Sequence, residues 1–461
     1  MASAAQHSPS DIASDDVLKA KPSRASHTSG CLKIGVIPIP QSSTITLTNT
    51  LPDPVDPLSP PCEVTDGGVR AWLSVFGASL ALFATFGLMN AFGTFQAWYS
   101  GNQLRHLPPS TISWIGSLQL WMFFFAGGPV GRLYDSYGPT ALMIIGTILY
   151  FLSLMMASIS TQFYQYILCQ GILFGLGVGM LFYPCMASVS THFIKLRATA
   201  LGIAAAGSSL GGVVYPILLR QLFDKVGFGW AVRIAGFIGA ACCVVAVLTV
   251  SSRVPPTRPK ATTINMSGFK DLRFILLTAG GCFVALGLFI PFFYLAEFAH
   301  AIGISTHLSF YVLAVLNGGG VLGRIAPAYL SDALGRFNLL APSAFLAGLS
   351  CLSIWLFVHE IIALMFFAAV YGFFSGAFIS LITPCVAQIS DLNEIGTRIG
   401  TLYTVISFPS LLGGPIGGFL LTRGRGSYVP MATFAGSAII IGSFLILWSK
   451  LRVNPNFLAR V

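Results

Sequence analysis

The chain has 461 residues, of which 25 are Lys or Arg and 15 are Asp or Glu, so charged residues make up only 9% of it, whereas 55% are hydrophobic. Soluble domains carry about 25% charged residues, and a soluble globule of this size could not cover its surface with so few charges. The composition all but excludes a soluble enzyme, a nucleic-acid-binding protein and a disordered protein, and it indicates a membrane protein.

The first 65 residues differ from the rest of the chain. They are rich in Ser, Thr, Pro, Asp and Ala and show no apolar periodicity, which is typical of a disordered tail. The segment Met1–Ala20 contains acidic residues and no apolar core of about 7–15 residues, so it is not predicted to be a cleavable signal peptide. We therefore predict a disordered cytoplasmic tail over 1–65.

Eleven stretches without a charged residue follow the tail. They are 71–104, 106–131, 136–194, 198–219, 234–252, 274–296, 298–323, 337–359, 361–390, 399–422 and 426–449. A helix needs about 20 apolar residues to cross a bilayer. The 59 residues of 136–194 must therefore hold two helices, with a break near Ser158–Gln162. The predicted fold is an all-α membrane protein with twelve transmembrane helices.

The basic residues lie mainly on one side of these predicted spans. With the N-terminal tail in the cytoplasm, 19 Lys and Arg residues fall on the cytoplasmic side and 5 on the outer side. Cytoplasmic loops of membrane proteins carry such an excess of positive charge. We therefore predict that both termini are cytoplasmic. The plasma membrane is the preferred location, and the vacuolar membrane is the alternative.

Three features of the first half of the chain recur about 200 residues later. Tyr183-Pro184-Cys185 recurs as Thr383-Pro384-Cys385, Arg197 as Arg398, and Asp135 as Asp332. The two proline motifs are expected at the ends of spans four and ten. We therefore predict two six-helix halves, 66–251 and 272–450, with a cytoplasmic linker 252–271 and a cytoplasmic tail 451–461. Parallel repeats of this kind are typical of secondary transporters, whose substrate site lies near mid-membrane between the halves.

A glycine-rich segment follows span two. In Gly127–Gly138, the pattern Gly131-Arg132, Asp135 and Gly138 resembles the loop motif of the major facilitator superfamily, and Asp332–Arg336 is its second-half copy. An aspartate can bind the N-terminus of a neighbouring helix or an arginine. We predict gating residues that stabilise a state closed to the cytoplasm, or alternatively charges that only orient loops. These residues are Asp135, Arg132, Asp332, Arg336, Arg197 and Arg398.

Two further motifs narrow the resemblance. Asp66-Gly67-Gly68 precedes span one, and Lys195-Leu196-Arg197 precedes a span with regularly spaced glycines. Both resemble signatures of the monocarboxylate porter family, particularly its fungal branch, over about residues 64–450. The resemblance implies a major facilitator carrier that works by alternating access, without covalent chemistry. Fungal members carry monocarboxylates, vitamins and secondary metabolites, so the substrate class stays open.

Arg324 is the most informative charged residue because it falls within span eight, roughly 24 Å from the outer face at 1.5 Å per residue. Charge at this depth is costly and usually functional. Arg324 matches the arginine of this span in the porter family, and the resemblance implies that it binds a substrate carboxylate. A guanidinium can grip a carboxylate through two hydrogen bonds. The alternative is a structural pair with Asp332.

The chain departs from the porter family at two positions. The family's lysine in span one falls on Asn90, and the acid four residues before the arginine falls on Gly320, so both titratable partners of proton coupling are missing. Asn90 and Asn317 are predicted to line the substrate cavity, or alternatively to form hydrogen bonds between helices. Glu297, at the outer end of span seven, is a candidate outer gate or coupling acid.

We therefore predict a secondary transporter of an organic acid or a secondary metabolite. The expected partners are the small organic substrate and the lipid bilayer, with no nucleic acid, and the functional unit is expected to be a monomer. A non-transporting nutrient sensor and a short-chain monocarboxylate uptake carrier are the alternatives. No enzymatic activity or cofactor is expected, and the dispersed His and Cys residues predict no metal site.

Overall fold

A computed structural model of the chain describes residues 67–253, 271–390 and 395–456. All regular secondary structure in these ranges is helical, in agreement with the predicted class. The predicted tail 1–65, Asp66, most of the linker 252–271 and the last five residues of the chain lie outside the described residues. The N-terminal and C-terminal halves below mean residues 67–253 and 271–456.

The N-terminal half contains spans one to six. Its helices are α1 Val69–Asn90, α2 Phe92–Gly101, α3 Pro109–Phe125, α4 Gly127–Tyr137, α5 Pro139–Ile159, α6 Phe163–Tyr166, a π-helical segment Ile167–Leu173, α7 Phe174–His192 and α8 Arg197–Thr249. The apolar stretch 136–194 is interrupted between Ile159 and Phe163, so the predicted break is confirmed. The long α8 contains spans five and six, because its backbone leaves the helical conformation at Gly227, where φ is +77°.

The C-terminal half repeats this plan. Its helices are α9 Leu272–Leu288, α10 Ile290–Ala301, α11 Thr306–Leu334, α12 Arg336–Ser353, a 3₁₀ turn Trp355–Phe357, α13 Ile361–Gln388, α14 Ile395–Arg423 and α15 Val429–Val453. Span seven is broken at Phe289, as span one is broken at Ala91. These breaks at matching places support the internal duplication.

Nine helical segments within the described ranges are long and apolar enough to cross a membrane. One of them is α8, which holds two helices across Gly227. The pair α3–α4 and the helix α11, in each of which some side chains lie outside the described residues, are not among the nine, although both pack into the same bundle. If they also cross the membrane, the number of spans is the predicted twelve.

Two local predictions were wrong. Gly127–Gly138 is not a loop, since α4 runs to Tyr137 and the chain turns only at Gly138, where φ is +76°. Its counterpart Gly335, with φ +102°, ends α11 in the same way, and this conformation favours glycine. The proline motifs do not end their spans, because Pro184 lies inside α7 and Pro384 inside α13.

The fifth span of each half crosses onto the other half. The first part of α8 packs against α11, and α14 packs against α3 and α4. Small residues make the approach close: a Cβ at Gly202 would collide with the Arg324 carbonyl, and one at Gly400 with the Gly127 carbonyl. We call the end of the bundle that carries Asp135 and Asp332 the latch end, and the opposite end the far end.

Candidate functional site

A cavity of about 40 Å³ lies between the two halves. Its walls come from α1, α3, α7 and α8 of the N-terminal half and from α9, α13 and α14 of the C-terminal half. Six phenylalanines dominate the lining, namely Phe86, Phe123, Phe124, Phe182, Phe289 and Phe378. Ser208 and Tyr403 supply the polar side chains of this lining. The cavity therefore favours an apolar or aromatic body with few polar groups.

Contacts between the halves lie on both sides of the cavity. Phe124 stacks on Tyr403 across the interface, with ring centroids 5.5 Å apart and planes at 10°. Toward the far end, Phe92 meets Phe293 edge to face at 6.0 Å. Toward the latch end, the Gly128 amide donates to Thr404 Oγ1 at 2.9 Å. The two halves therefore close around the cavity from both directions.

Arg324 lies directly behind one wall of the cavity and is 1% exposed. Its Nη1 donates to Ser208 Oγ at 2.7 Å, to Ser209 Oγ, and to the Ala205 carbonyl at 3.5 Å. All three acceptors belong to α8, in the opposite half. Among the residues that the structure describes, no carboxylate lies within 4.0 Å of Arg324. The alternative pairing of Arg324 with Asp332 is therefore absent.

The two predicted asparagines approach the same part of α8. Asn90, the last residue of α1, donates its side-chain amide to the Ser208 carbonyl at 3.5 Å. Asn317 is 1% exposed, donates to the Leu313 carbonyl at 3.0 Å, and lies against Gly212. Asn90, Asn317 and Arg324 thus converge on 208–212, but none of them is a cavity-lining side chain in this state. Their role in substrate binding stays a prediction.

Ser208 and Ser209 were not predicted from the sequence. These hydroxyls stand in a run of Gly and Ala residues, 202–212, which by itself reads as a helix-packing surface. A signal was nevertheless available, because a buried guanidinium requires hydrogen-bond acceptors. Adjacent serines in another span are a natural source of such acceptors.

Asp332 forms a latch between the halves. It lies near the end of α11 and accepts hydrogen bonds from the Ala198 amide at 3.2 Å, the Thr199 amide at 2.8 Å and Thr199 Oγ1 at 2.7 Å. These donors form the first turn of α8 in the other half, where the helix dipole also favours a negative charge. Arg336 lies 3.4 Å from the same carboxylate. Asp332 therefore contacts both a helix N-terminus and an arginine.

Asp135 forms the corresponding, weaker latch. It lies beyond the charge-free stretch 106–131 and accepts a hydrogen bond from Thr397 Oγ1, in the first turn of α14, at 3.2 Å. Burial raises the pKa of Asp135 to about 6, and the hydrogen bonds from Thr397 oppose this rise. The predicted pair with Arg132 is not formed, since Arg132 is exposed and has no ion pair or hydrogen bond within the described ranges.

The remaining predicted gating residues stay near the latch end. Arg197 donates from Nε to the Phe193 carbonyl at 3.0 Å. Arg398 donates to the Ile389 carbonyl at 3.0 Å and lies 4.0 Å from Asp271. Glu297 lies apart from them, partly buried in α10 near the far end. A gating or coupling role for these three residues stays a prediction.

The described residues contain no group of three or more His, Cys, Asp or Glu side chains that could hold a metal ion. The chemistry that the site offers is hydrogen bonding from one buried guanidinium beside an aromatic cavity. Such a site can bind and orient a solute but supplies no acid–base pair for a reaction.

Comparison with known proteins gives consistent matches. The family model described as Major Facilitator Superfamily matches residues 71–359. An MFS-type transporter of Gibberella moniliformis is 41% identical over 398 residues, covering 86% of this chain and 94% of the relative. The Fujikurins efflux protein of Gibberella fujikuroi is 37% identical, covering 84% of this chain and 83% of the relative. The Aspyridones efflux protein of Emericella nidulans is also 37% identical, covering 84% and 79%.

A solved structure shares the fold. The human organic anion transporter MFSD10 aligns with a TM-score of 0.65 and 15% sequence identity, over 82% of this chain and 100% of that chain. Together with the all-helical bundle and the cavity between its N-terminal and C-terminal halves, these matches identify the class of protein. The chain belongs to the Major Facilitator Superfamily and is a multi-pass membrane protein, a secondary transporter of small organic solutes.

Proposed function

We propose that the chain exports an amphipathic organic anion, of the kind found among fungal secondary metabolites. The observation that carries this proposal is the cavity of six phenylalanines whose serine wall backs onto the buried guanidinium of Arg324. An aromatic or aliphatic body matches the apolar chemistry of the walls, and a carboxylate or similar group matches Arg324. The cavity of about 40 Å³ in the closed state must widen to admit such a solute. The efflux proteins for fujikurins and aspyridones, both 37% identical to this chain, support the export of a secondary metabolite.

Transport would proceed by alternating access between the two halves. With the latch end facing the cytoplasm, opening the Asp332 and Asp135 latches would admit the solute to the cavity from inside. Separating contacts such as Phe92–Phe293 at the far end would release it outside. Membership of the monocarboxylate porter branch is part of this proposal. A short-chain monocarboxylate would leave most of the aromatic lining without a partner and is the less suitable substrate.

The proposal includes location and coupling. Export requires the plasma membrane, with both termini in the cytoplasm, and a monomer contains the whole cavity. Asn90 and Gly320 occupy the positions of the family's titratable pair, so neither can exchange a proton at physiological pH. Transport is therefore either facilitated diffusion or coupled to protons through a peripheral acid, such as Glu297, or through the protonated substrate itself. Protease resistance of tags at both termini in intact cells checks the orientation.

The substrate class can be tested in reconstituted vesicles. The probe is 1-naphthalenesulfonate, an aromatic body with a permanent negative charge, and the neutral comparison is 1-naphthalenesulfonamide. The intact protein should move the anion faster than the sulfonamide, and Arg324→Gln should reduce anion movement by roughly tenfold or more, as expected for a lost charge-assisted contact.

Arg233→Gln is the matched control. Arg233 donates to Ser158 Oγ at 3.0 Å and lies over Trp230, away from the cavity. The Arg233→Gln variant should therefore transport 1-naphthalenesulfonate at the wild-type rate. Equal movement of both probes, movement of neither, or an unchanged rate in Arg324→Gln would contradict an organic anion held by Arg324.

A further inference from the structure

The buried cation of one half is held by neutral side chains of the other. Arg324 in α11 is 1% exposed, and its Nη1 donates to Ser208 Oγ at 2.7 Å and to Ser209 Oγ. Both serines lie in α8, which moves with the N-terminal half if the halves separate. The contact therefore exists only while α8 and α11 are closed on each other.

Both serines are arranged as acceptors. The Ser208 hydroxyl donates to the Ala205 carbonyl at 2.7 Å, so its lone pairs are available to the guanidinium. Ser209 reaches Arg324 because position 320 has no side chain, and a Cβ there would lie 2.7 Å from Ser209 Oγ. The local sequence thus leaves room for two hydroxyls at the place where Arg324 points.

The two serine hydroxyls stabilise Arg324 in the closed state, but an anion could take their place as its hydrogen-bond acceptor. An arginine stays protonated in proteins, and a buried charge without acceptors is strongly unfavourable. The hydroxyls supply hydrogen bonds but no negative charge, and Arg324 Nε still has no partner within the described part of the chain. An anion entering beside Ser208, which lines the cavity, would make stronger bonds to the same guanidinium.

We infer that Ser208 and Ser209 replace the substrate's anionic group in the empty carrier. They allow the halves to close around Arg324 without cargo and to return to the loading side. The carrier therefore performs net transport and does not depend on exchange of one anion for another. This inference rests on the proposed function, in which Arg324 receives an anionic solute. Without the two hydroxyls, only the loaded carrier would close readily.

The first experiment needs no substrate. Hydrogen–deuterium exchange of the purified full-length protein reports closure through the backbone amides of the first turn of α8, which Asp332 binds when the halves meet. In the double variant Ser208→Ala/Ser209→Ala these amides should exchange about tenfold faster than in the wild type, because local opening is then favoured. Formate, a small carboxylate, should restore their protection, whereas formamide, its neutral isostere, should not.

Two controls separate the charge effect from packing. Ser410→Ala removes a buried hydroxyl that bonds only within α14, to the Ile406 carbonyl at 2.9 Å, and should leave exchange unchanged. Adding Arg324→Gln to the double variant should restore protection without formate, since no charge then needs an acceptor. Wild-type protection in the double variant, or equal recovery with formate and formamide, would overturn the inference.

The second experiment uses vesicles and 1-naphthalenesulfonate. In the double variant, net movement into probe-free vesicles should fall by about tenfold relative to exchange against the same probe on the far side, since only the empty return step is impaired. An equal fall in both modes would reject the inference but leave the proposed function intact. If the wild type moves no anion in either mode, the proposed function fails, and the exchange measurement still decides the role of the serines.

Discussion

The two places where a fifth span crosses between the halves are related by the internal repeat, yet their chemistry differs. The offset of 197 between Asp135 and Asp332 makes Gly127 the counterpart of Arg324. The offset of 201 between Arg197 and Arg398 makes Pro409-Ser410 the counterpart of Ser208-Ser209. One interface therefore contains a buried guanidinium with two hydroxyl acceptors, and the other has a glycine at the same place.

The glycine interface has no room for such a group. A Cβ at Gly127 would lie 2.7 Å from the Tyr183 ring, and Gly400 packs directly on the Gly127 carbonyl. The two interfaces thus share a backbone arrangement, whereas the buried guanidinium belongs to the α8–α11 interface. A few side chains therefore place a buried charge at one of these two described interfaces and not at the other.

The largest effect on transport should come from changing the cation without removing its charge. Arg324→Lys replaces a planar fork by a compact ammonium that cannot bind Ser208, Ser209 and a substrate anion in the same geometry. We expect the vesicle transport rate of 1-naphthalenesulfonate to fall by about tenfold or more, equivalent to about 1.4 kcal/mol. Arg233→Lys is the matched control and should transport normally. A wild-type rate in Arg324→Lys would show that the fork geometry is unimportant.

The two latches should respond differently to loss of their carboxylate charge. Asp332→Asn loses the charge at the α8 N-terminus and one of the acceptors for Thr199, so the closed state should lose about 2 kcal/mol. This corresponds to roughly 30-fold faster exchange of the Thr199 amide. Asp135→Asn should change the Thr397 amide by less than about threefold, because that latch rests on one threonine. Equal effects of the two substitutions would contradict the proposal that the Asp332 latch is stronger than the Asp135 latch.

The weaker latch should respond to pH. Burial raises the pKa of Asp135 to about 6 in the closed structure, whereas an exposed aspartate titrates near about 3.9. The closed state therefore binds the proton more tightly, and protonation stabilises it. This stabilisation is complete below about pH 4 and is lost as the pH rises through about 6.

The measurement is exchange at the first turn of α14 between about pH 5 and 7.5, corrected for intrinsic rates. Protection should decrease as the pH rises in the wild type, and Asp135→Asn should abolish this trend. Asp332→Asn should keep it. A trend that survives in Asp135→Asn would assign the pH response to another group.

The arginines beside the latches should have the smallest effects. Arg336 lies 3.4 Å from Asp332, and its side chain is 15% exposed, so Arg336→Ala should cost the closed state about 0.5–1 kcal/mol. Arg132 is exposed, and Arg132→Ala should remain within about 0.5 kcal/mol of the wild type. Hydrogen–deuterium exchange of the amides in the first turns of α8 and α14 measures the effects of both substitutions. A larger loss for Arg132→Ala would mean that Arg132 contributes to the stability of the closed state.

The parts of the structure that the sequence predicted are those that the membrane constrains directly. The length of the charge-free stretch 136–194 required two helices, and the bilayer permits a charged residue such as Arg324 only where protein surrounds it. The break between Ile159 and Phe163 and the burial of Arg324 follow from these rules.

Tertiary contacts decided what the sequence did not predict. Pro184 and Pro384 are accommodated inside helices because a neighbouring bundle supports the interrupted turn, so proline was a poor marker of a span end. The partner of Asp135 is Thr397, 262 residues away, and not the nearby Arg132. The contact of Ser208 and Ser209 with Arg324 becomes evident only once α11 is known to pack beside α8.

The polar side chains of α11 also bear on biogenesis. This helix contains Asn317, Arg324 and Asp332. An arginine at the centre of a helix costs about 2.5–3.5 kcal/mol on the scale of translocon insertion. The acceptors that compensate this cost lie on α8, which is synthesised more than a hundred residues earlier. Because these acceptors precede α11 in the chain, we expect α11 to insert more readily when the first half is already in the membrane.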